Sequence, residues 1–171
     1  MGLFDKLMKK HVAANSDPVV FPVMLGAVAK GRFVPMEKIP DDVFSQGILG
    51  ICCGIDPMEG KVYAPIGGKI SSLTGTKHAI GIEGNGGIEI LIHVGVDTVD
   101  MSGDGFVNMV KEGDVIEKGQ LLLTMDLDKI KAAGHPTVVI TAVTNGDDFN
   151  SVEFIGTGDV KPGDSVLRIQ K

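Results

Sequence analysis

Apolar and polar positions alternate most strictly over "IEILIHVGVD". Ile88, Ile90, Ile92, Val94 and Val96 fall on one side of an extended chain, and Glu89, Leu91, His93, Gly95 and Asp97 on the other. A period of two predicts a β-strand whose apolar ridge faces a core, with His93 on the opposite face. From Val19 onward similar short runs recur, punctuated by Gly, Pro, Asn and Asp. Helical spacing is confined to small pieces. "GFVNMVKEG" spaces Phe106, Met109 and Val110 by three and four, and "LDKIKAAG" ends on a glycine suited to a helix C-terminus, so a helical turn is expected at each. The pattern therefore predicts an all-β chain with a few short helical turns.

Two echoes suggest a duplicated β motif: "AVAKGRF" (27–33) against "APIGGKI" (64–70), and "KEGDV" (111–115) against "KPGDS" (161–165). Residues 19–171 are read as one domain. Residues 1–18 differ: Leu3, Phe4, Leu7 and Met8 share one helical face, Lys6, Lys9 and Lys10 the other, and the segment from Asn15 to Pro18 breaks the pattern. This tail reads either as a basic amphipathic helix that touches anionic lipid or as a frayed soluble extension.

A length of 171 residues suffices for one real core, and 43% hydrophobic with 22% charged residues is a globular balance. A net charge of -6 argues against general nucleic-acid binding, which needs a basic face. No apolar run reaches membrane-spanning length and no signal peptide is expected, so the chain is read as cytoplasmic, with the tail its only candidate for peripheral membrane contact. Cys52 and Cys53 are adjacent and cannot staple distant segments; they are expected to be reduced, buried strand residues.

The candidate chemistry lies in the histidines. Asn85-Gly86 signals a two-residue hairpin loop, which would pair Gly84 with Gly87 and Glu83 with Ile88. Counted back in that register, His78 falls opposite His93, about 5 Å away between Cβ atoms and on the same face. Gly95 on that face would leave room beside the imidazole. Two facing imidazoles can serve as nucleophile, acid, base or metal ligand. Asp97 would lie about 13 Å along a straight strand from His93, too far to orient it unless the strand bends. His11 and His135 are read as solvent-facing.

"GTKHAIGIE", "IEILIHVGVDTVDMSGDGF" and "HPTVVITAVTN" resemble the glucose-family enzyme IIA component of the bacterial phosphoenolpyruvate-dependent sugar phosphotransferase system. The resemblance runs from about Ala27 to Lys171, and "MGLFDKL" is similar to the family's N-terminal tail. It implies an antiparallel β-sandwich, barrel-like and of the duplicated hybrid-motif type. It also implies that His93 accepts a phosphoryl group from the phosphocarrier HPr and passes it to a cysteine of an enzyme IIB domain of the sugar permease. His78 would steady the phosphohistidine, and Thr76 matches a threonine that hydrogen-bonds the acceptor's second ring nitrogen. Asp41, Phe44, Ile48, Leu49 and Asp97 match a partner-binding face, and regulated enzymes or transporters would be further partners. Val28, where the family commonly has proline, and "GICCGI" (50–55) depart from the pattern near that face.

Two rival readings remain at this level. His78 and His93 could be zinc ligands, but they leave a site incomplete unless a partner adds a carboxylate, so any zinc would sit in a composite interface site; no other cofactor is required. Related zinc peptidases need a His-x-His pair that this chain lacks. "VKEGDVIEKGQLLLTMDLDKIKAA" is similar to lipoyl and biotinyl domains, with Asp128-Lys129 mimicking the modified lysine, yet that lysine stands in a helix-like pattern rather than at a hairpin tip.

Overall fold

A computed structural model describes residues 18–171; the amphipathic pattern of the tail lies outside them. The described residues form fourteen strands: β1 (Val23–Gly26), β2 (Gly31–Val34), β3 (Ile51–Pro57), β4 (Lys61–Tyr63), β5 (Gly68–Leu73), β6 (Ala79–Gly84), β7 (Ile88–Val94), β8 (Phe106–Asn108), β9 (Val115–Ile116), β10 (Leu121–Met125), β11 (Val139–Val143), β12 (Ser151–Phe154), β13 (Asp159–Val160) and β14 (Ser165–Gln170). All pairings are antiparallel. An eight-stranded sheet runs β13-β2-β3-β11-β7-β6-β5-β9, and two three-stranded sheets run β1-β14-β12 and β4-β10-β8. The described residues also form two short α-helices, α1 (Asp42–Ser45) and α2 (Leu127–Ala132).

Alternation along the central strands divides the interior in two. Ile88, Ile90, Ile92 and Val94 of β7, with Cys53 and Ile55 of β3 and Val139 and Val143 of β11, join residues of the smaller sheets in one main core. Cys52, Ile140 and Ala142 point the other way and form a minor core with Ile39, Phe44, Val96 and Val138. β3 and β11 are thus buried on both faces, which explains why "ICCGI" and "VVITAV" read as continuous apolar runs rather than alternating ones. α1 and the 3₁₀ turn before it cover the outer face of these two strands. Their neighbour β7 is left half covered, and His93 stands there.

The duplication is visible in the backbone. Gly26 N–H donates to Pro65 O (2.9 Å) and Tyr63 N–H to Val28 O (2.7 Å), a pair of bonds exchanged by swapping Ala27 with Ala64. Ala27 also closes a two-bond ring with the 161–164 turn, and Ala64 closes the matching ring with the 117–120 turn. Under that swap "KPGDS" corresponds to "EKGQL" (117–121), and "KEGDV" closes a third ring of the same form, with Gly113 N–H donating to Ile70 O (2.8 Å) and Ile70 N–H to Asp114 O (2.9 Å).

Two local expectations change. Phe106–Asn108 is strand β8, not a helical turn, because its backbone pairs with Leu123–Met125. The hairpin between β6 and β7 has three loop residues, since Gly84 pairs with Ile88, and Gly86 (φ 81°) and Gly87 (φ 76°) both take the left-handed conformation. The register is shifted by one, so Ala79, not His78, lies opposite His93. α2 is present where expected and ends before Gly134 (φ 83°).

Candidate functional site

His93 is the last but one residue of β7, paired with Ile140 on one side and Ala79 on the other. Its Nδ1 lies 2.7 Å from the backbone oxygen of Gly95. A carbonyl can only accept, so the proton resides on Nδ1 and Nε2 keeps its lone pair. Gly95 reaches this position with φ 74°, and a Cβ there would meet Thr98 Cγ2 at 2.5 Å and Pro136 O at 2.9 Å. The glycine thus serves to aim its own carbonyl, rather than to leave room above the ring. Burial holds the His93 pKa below the usual imidazole value, opposed by the Gly95 bond and by the carboxylates of Asp41 and Asp97. Near neutral pH the ring is an uncharged nucleophile.

His78 reaches the same place without facing His93 across the ladder. It stands one residue before β6, after Lys77 in the left-handed region (φ 61°), and its carbonyl accepts from Val94 N–H at 2.7 Å. This bend, at a point where the alternation of β6 has not begun, turns the side chain onto the His93 face. The two rings lie 5.0 Å apart at 79°, edge to face. His78 is only 8% exposed, and its pKa is lowered by burial and by the neighbouring His93 charge. Thr76 Oγ1 is 2.6 Å from Nδ1 of His78. The threonine partner is therefore His78 and not the second nitrogen of His93, which Gly95 occupies. The Thr76 contact leaves His78 Nε2 as the nitrogen free to meet a ligand.

The remaining candidates divide. Asp41 caps α1, its Oδ1 accepting from Val43 N–H (2.9 Å) and Phe44 N–H (3.2 Å). Phe44 is 5% exposed, so it is a wall of the site rather than a free docking residue; its ring lies 5.0 Å from that of His93 at 54°. Ile48 (65% exposed) and Leu49 (39%) do present apolar surface, as a partner-binding face requires. Asp97 is exposed at φ 59°: the strand bends after Val94, which lets its charge act on His93 despite the separation a straight strand would impose. The exposed Val43, in α1, and Val99, in the 3₁₀ helix Thr98–Met101, show no period because each element is only four residues long.

Cys52 and Cys53 are buried free thiols, and burial raises both pKa values, that of Cys52 to about 11. Lys129 lies inside α2 and pairs with Asp104 at 2.8 Å, unlike a lysine offered at a hairpin tip. Among the described residues no group of three or more His, Cys, Asp or Glu is arranged to hold a metal; His78 and His93 offer two nitrogens.

Residues 23–149 match the family described as phosphoenolpyruvate-dependent sugar phosphotransferase system, EIIA 1. The chain is 37% identical over 163 residues to the glucose-specific EIIA component of Halalkalibacterium halodurans, covering 95% of this chain and 91% of that one. It is 39% identical over 144 residues to the glucose-specific EIICBA component of Streptococcus pneumoniae, covering 84% of this chain but only 20% of that protein. Among solved structures, the glucose permease IIA of Mycoplasma capricolum superposes with a TM-score of 0.78 at 31% identity, covering 87% of this chain and 96% of that one.

Proposed function

The chain belongs to the EIIA 1 family of the phosphoenolpyruvate-dependent sugar phosphotransferase system, and from that premise we propose that it is a phosphoryl carrier whose acceptor atom is Nε2 of His93. The observation that carries this reading is the bond from His93 Nδ1–H to the Gly95 carbonyl. It fixes the tautomer in which Nε2 is nucleophilic, beside a second imidazole whose own Nδ1 is occupied by Thr76.

The lone pair of Nε2 attacks the phosphorus of the phosphohistidine on HPr. A new N–P bond forms, and the old one breaks with its electron pair returning to the donor imidazole. No proton need leave His93, so the phosphorylated ring is cationic. The Gly95 oxygen and the carboxylates of Asp41 and Asp97 favour that charge. His78 supplies an N–H to the phosphoryl oxygens. A cysteine thiolate of an enzyme IIB domain then attacks phosphorus and releases the neutral His93 ring. The name EIICBA of the Streptococcus pneumoniae relative supports IIB as the acceptor, and the relatives' names support a glucose-type sugar. The apolar rim of Ile48 and Leu49 suits two partners that dock in turn and leave quickly.

Incubation with phosphoenolpyruvate, enzyme I and HPr should add one phosphoryl mass that is lost in acid. His93→Ala should gain none. A full increment in that variant would refute His93 as the acceptor.

A further inference from the structure

Cys52 has no part in the phosphoryl chemistry, yet it stands directly behind the site. Its side chain is fully buried in the minor core, on the face of the central sheet that also carries His93. Its Sγ lies 3.3 Å from the backbone oxygen of Phe44, and the Phe44 ring lies 5.0 Å from that of His93.

We propose that Cys52 is a positioning residue for the acceptor imidazole: its thiol holds the Phe44 carbonyl, and with it the Phe44 ring, against His93. The functional half of this inference rests on the carrier reading above. α1 is only four residues long, and a helix of that length does not persist without outside contacts. Asp41 ties its N-terminus. At its C-terminal end the Phe44 carbonyl has no amide partner four residues on, and it receives the Gly47 N–H (3.0 Å) and the Cys52 thiol. The thiol is anchored on β3, paired to β11 in the register Cys52–Ala142, so the bond fastens a marginal helix to a rigid central strand. Burial keeps the thiol protonated, as a donor must be. Phe44, so held, closes one face of His93 to water.

The test uses the whole chain with Cys52→Ala, Cys52→Ser and Phe44→Leu. In the unphosphorylated protein, NMR titration of His93 should give an upward midpoint in Cys52→Ala, toward the ordinary imidazole value, as water reaches the ring. Phe44→Leu should move it the same way. Cys52→Ser, whose hydroxyl can donate to the same carbonyl, should stay near the parent. Transfer to IIB by Cys52→Ala should lose roughly three- to tenfold in kcat, about what one indirect hydrogen bond is worth, with KM unchanged because Cys52 touches no partner. An unmoved titration in Cys52→Ala or Phe44→Leu overturns the proposal. So does a serine variant that behaves as alanine does, or a KM effect without a kcat effect. The titration needs no phosphoryl donor. Failure of the parent to accept phosphate would therefore sink the carrier reading and leave Cys52 to be judged by the titration alone.

Discussion

At the scale of residues, the site is a division of labour between two imidazoles whose second nitrogens have different partners. Gly95 O determines the tautomer of His93, whereas a hydroxyl on His78 can donate or accept. His78→Gln should therefore still accept phosphate from HPr, since an amide keeps a donor near the phosphoryl oxygens. Onward transfer to IIB should slow by roughly 10-fold or more, because an amide reproduces neither the geometry nor the proton capacity of the ring. Paired rate measurements decide it, and an unchanged IIB rate would make His78 a bystander. The lowered pKa values also bear on stability. Below the ordinary imidazole value of 6.5 the unfolded chain takes up protons that the folded site resists, so stability present above that pH is lost as pH falls through it toward the lower folded values. Urea midpoints at pH about 7.5 and about 5.5 should differ more in the parent than in His78→Gln. Both histidines were legible in the sequence: His93 from alternation, and the pair from a hairpin count that the structure shifts by one residue and from the resemblance. The Gly95 carbonyl and the true partner of Thr76 were not, because a backbone acceptor has no signature in residue type.

At the scale of elements, the turns place the chemistry. The count that set His78 opposite His93 assumed a two-residue Asn-Gly loop, but Gly87 also takes positive φ and extends the loop to three. In a regular ladder that slip would have separated the rings. The bend at Lys77 restores their meeting, and no period announces it. The match of Asp41, Phe44, Ile48 and Leu49 to a partner-binding face does not announce helix α1, whose N-cap is Asp41. Asp41→Ala should cost about 1 kcal/mol of stability through the lost cap, measured by chemical denaturation. Asp41→Asn should recover most of that while leaving the His93 titration lower than in the parent, because the cap returns without the charge. Equal titrations in Asn and Asp would deny the carboxylate its electrostatic part. Gly95→Ala meets both a left-handed φ and a Cβ clash, and should cost about 2 kcal/mol or more while abolishing the fixed tautomer. A variant of parental stability would contradict the geometry.

At the scale of the whole molecule, a duplicated motif builds a doubly covered sheet and leaves one half-covered strand for the site. The all-β class and the ridge of β7 followed from alternation, and the first repeat echo marks the Ala27–Ala64 relation in the backbone. The second echo marks a turn that recurs: an aspartate closes both Lys111–Asp114 and Lys161–Asp164, and each turn exchanges two backbone bonds with a facing residue, Ile70 and Ala27. Among the described residues no helix is long and apolar enough to cross a membrane. If the basic amphipathic tail seeks lipid, deletion of residues 2–12 should weaken sedimentation with anionic vesicles and leave phosphorylation by HPr unchanged; equal sedimentation would remove that role. The central claim concerns a single atom. Phosphorus–nitrogen correlation NMR of the ¹⁵N-histidine-labelled phosphoprotein should find the bond at Nε2 of His93, with Nδ1 still carrying its proton. A bond at Nδ1, or on His78, would contradict the account.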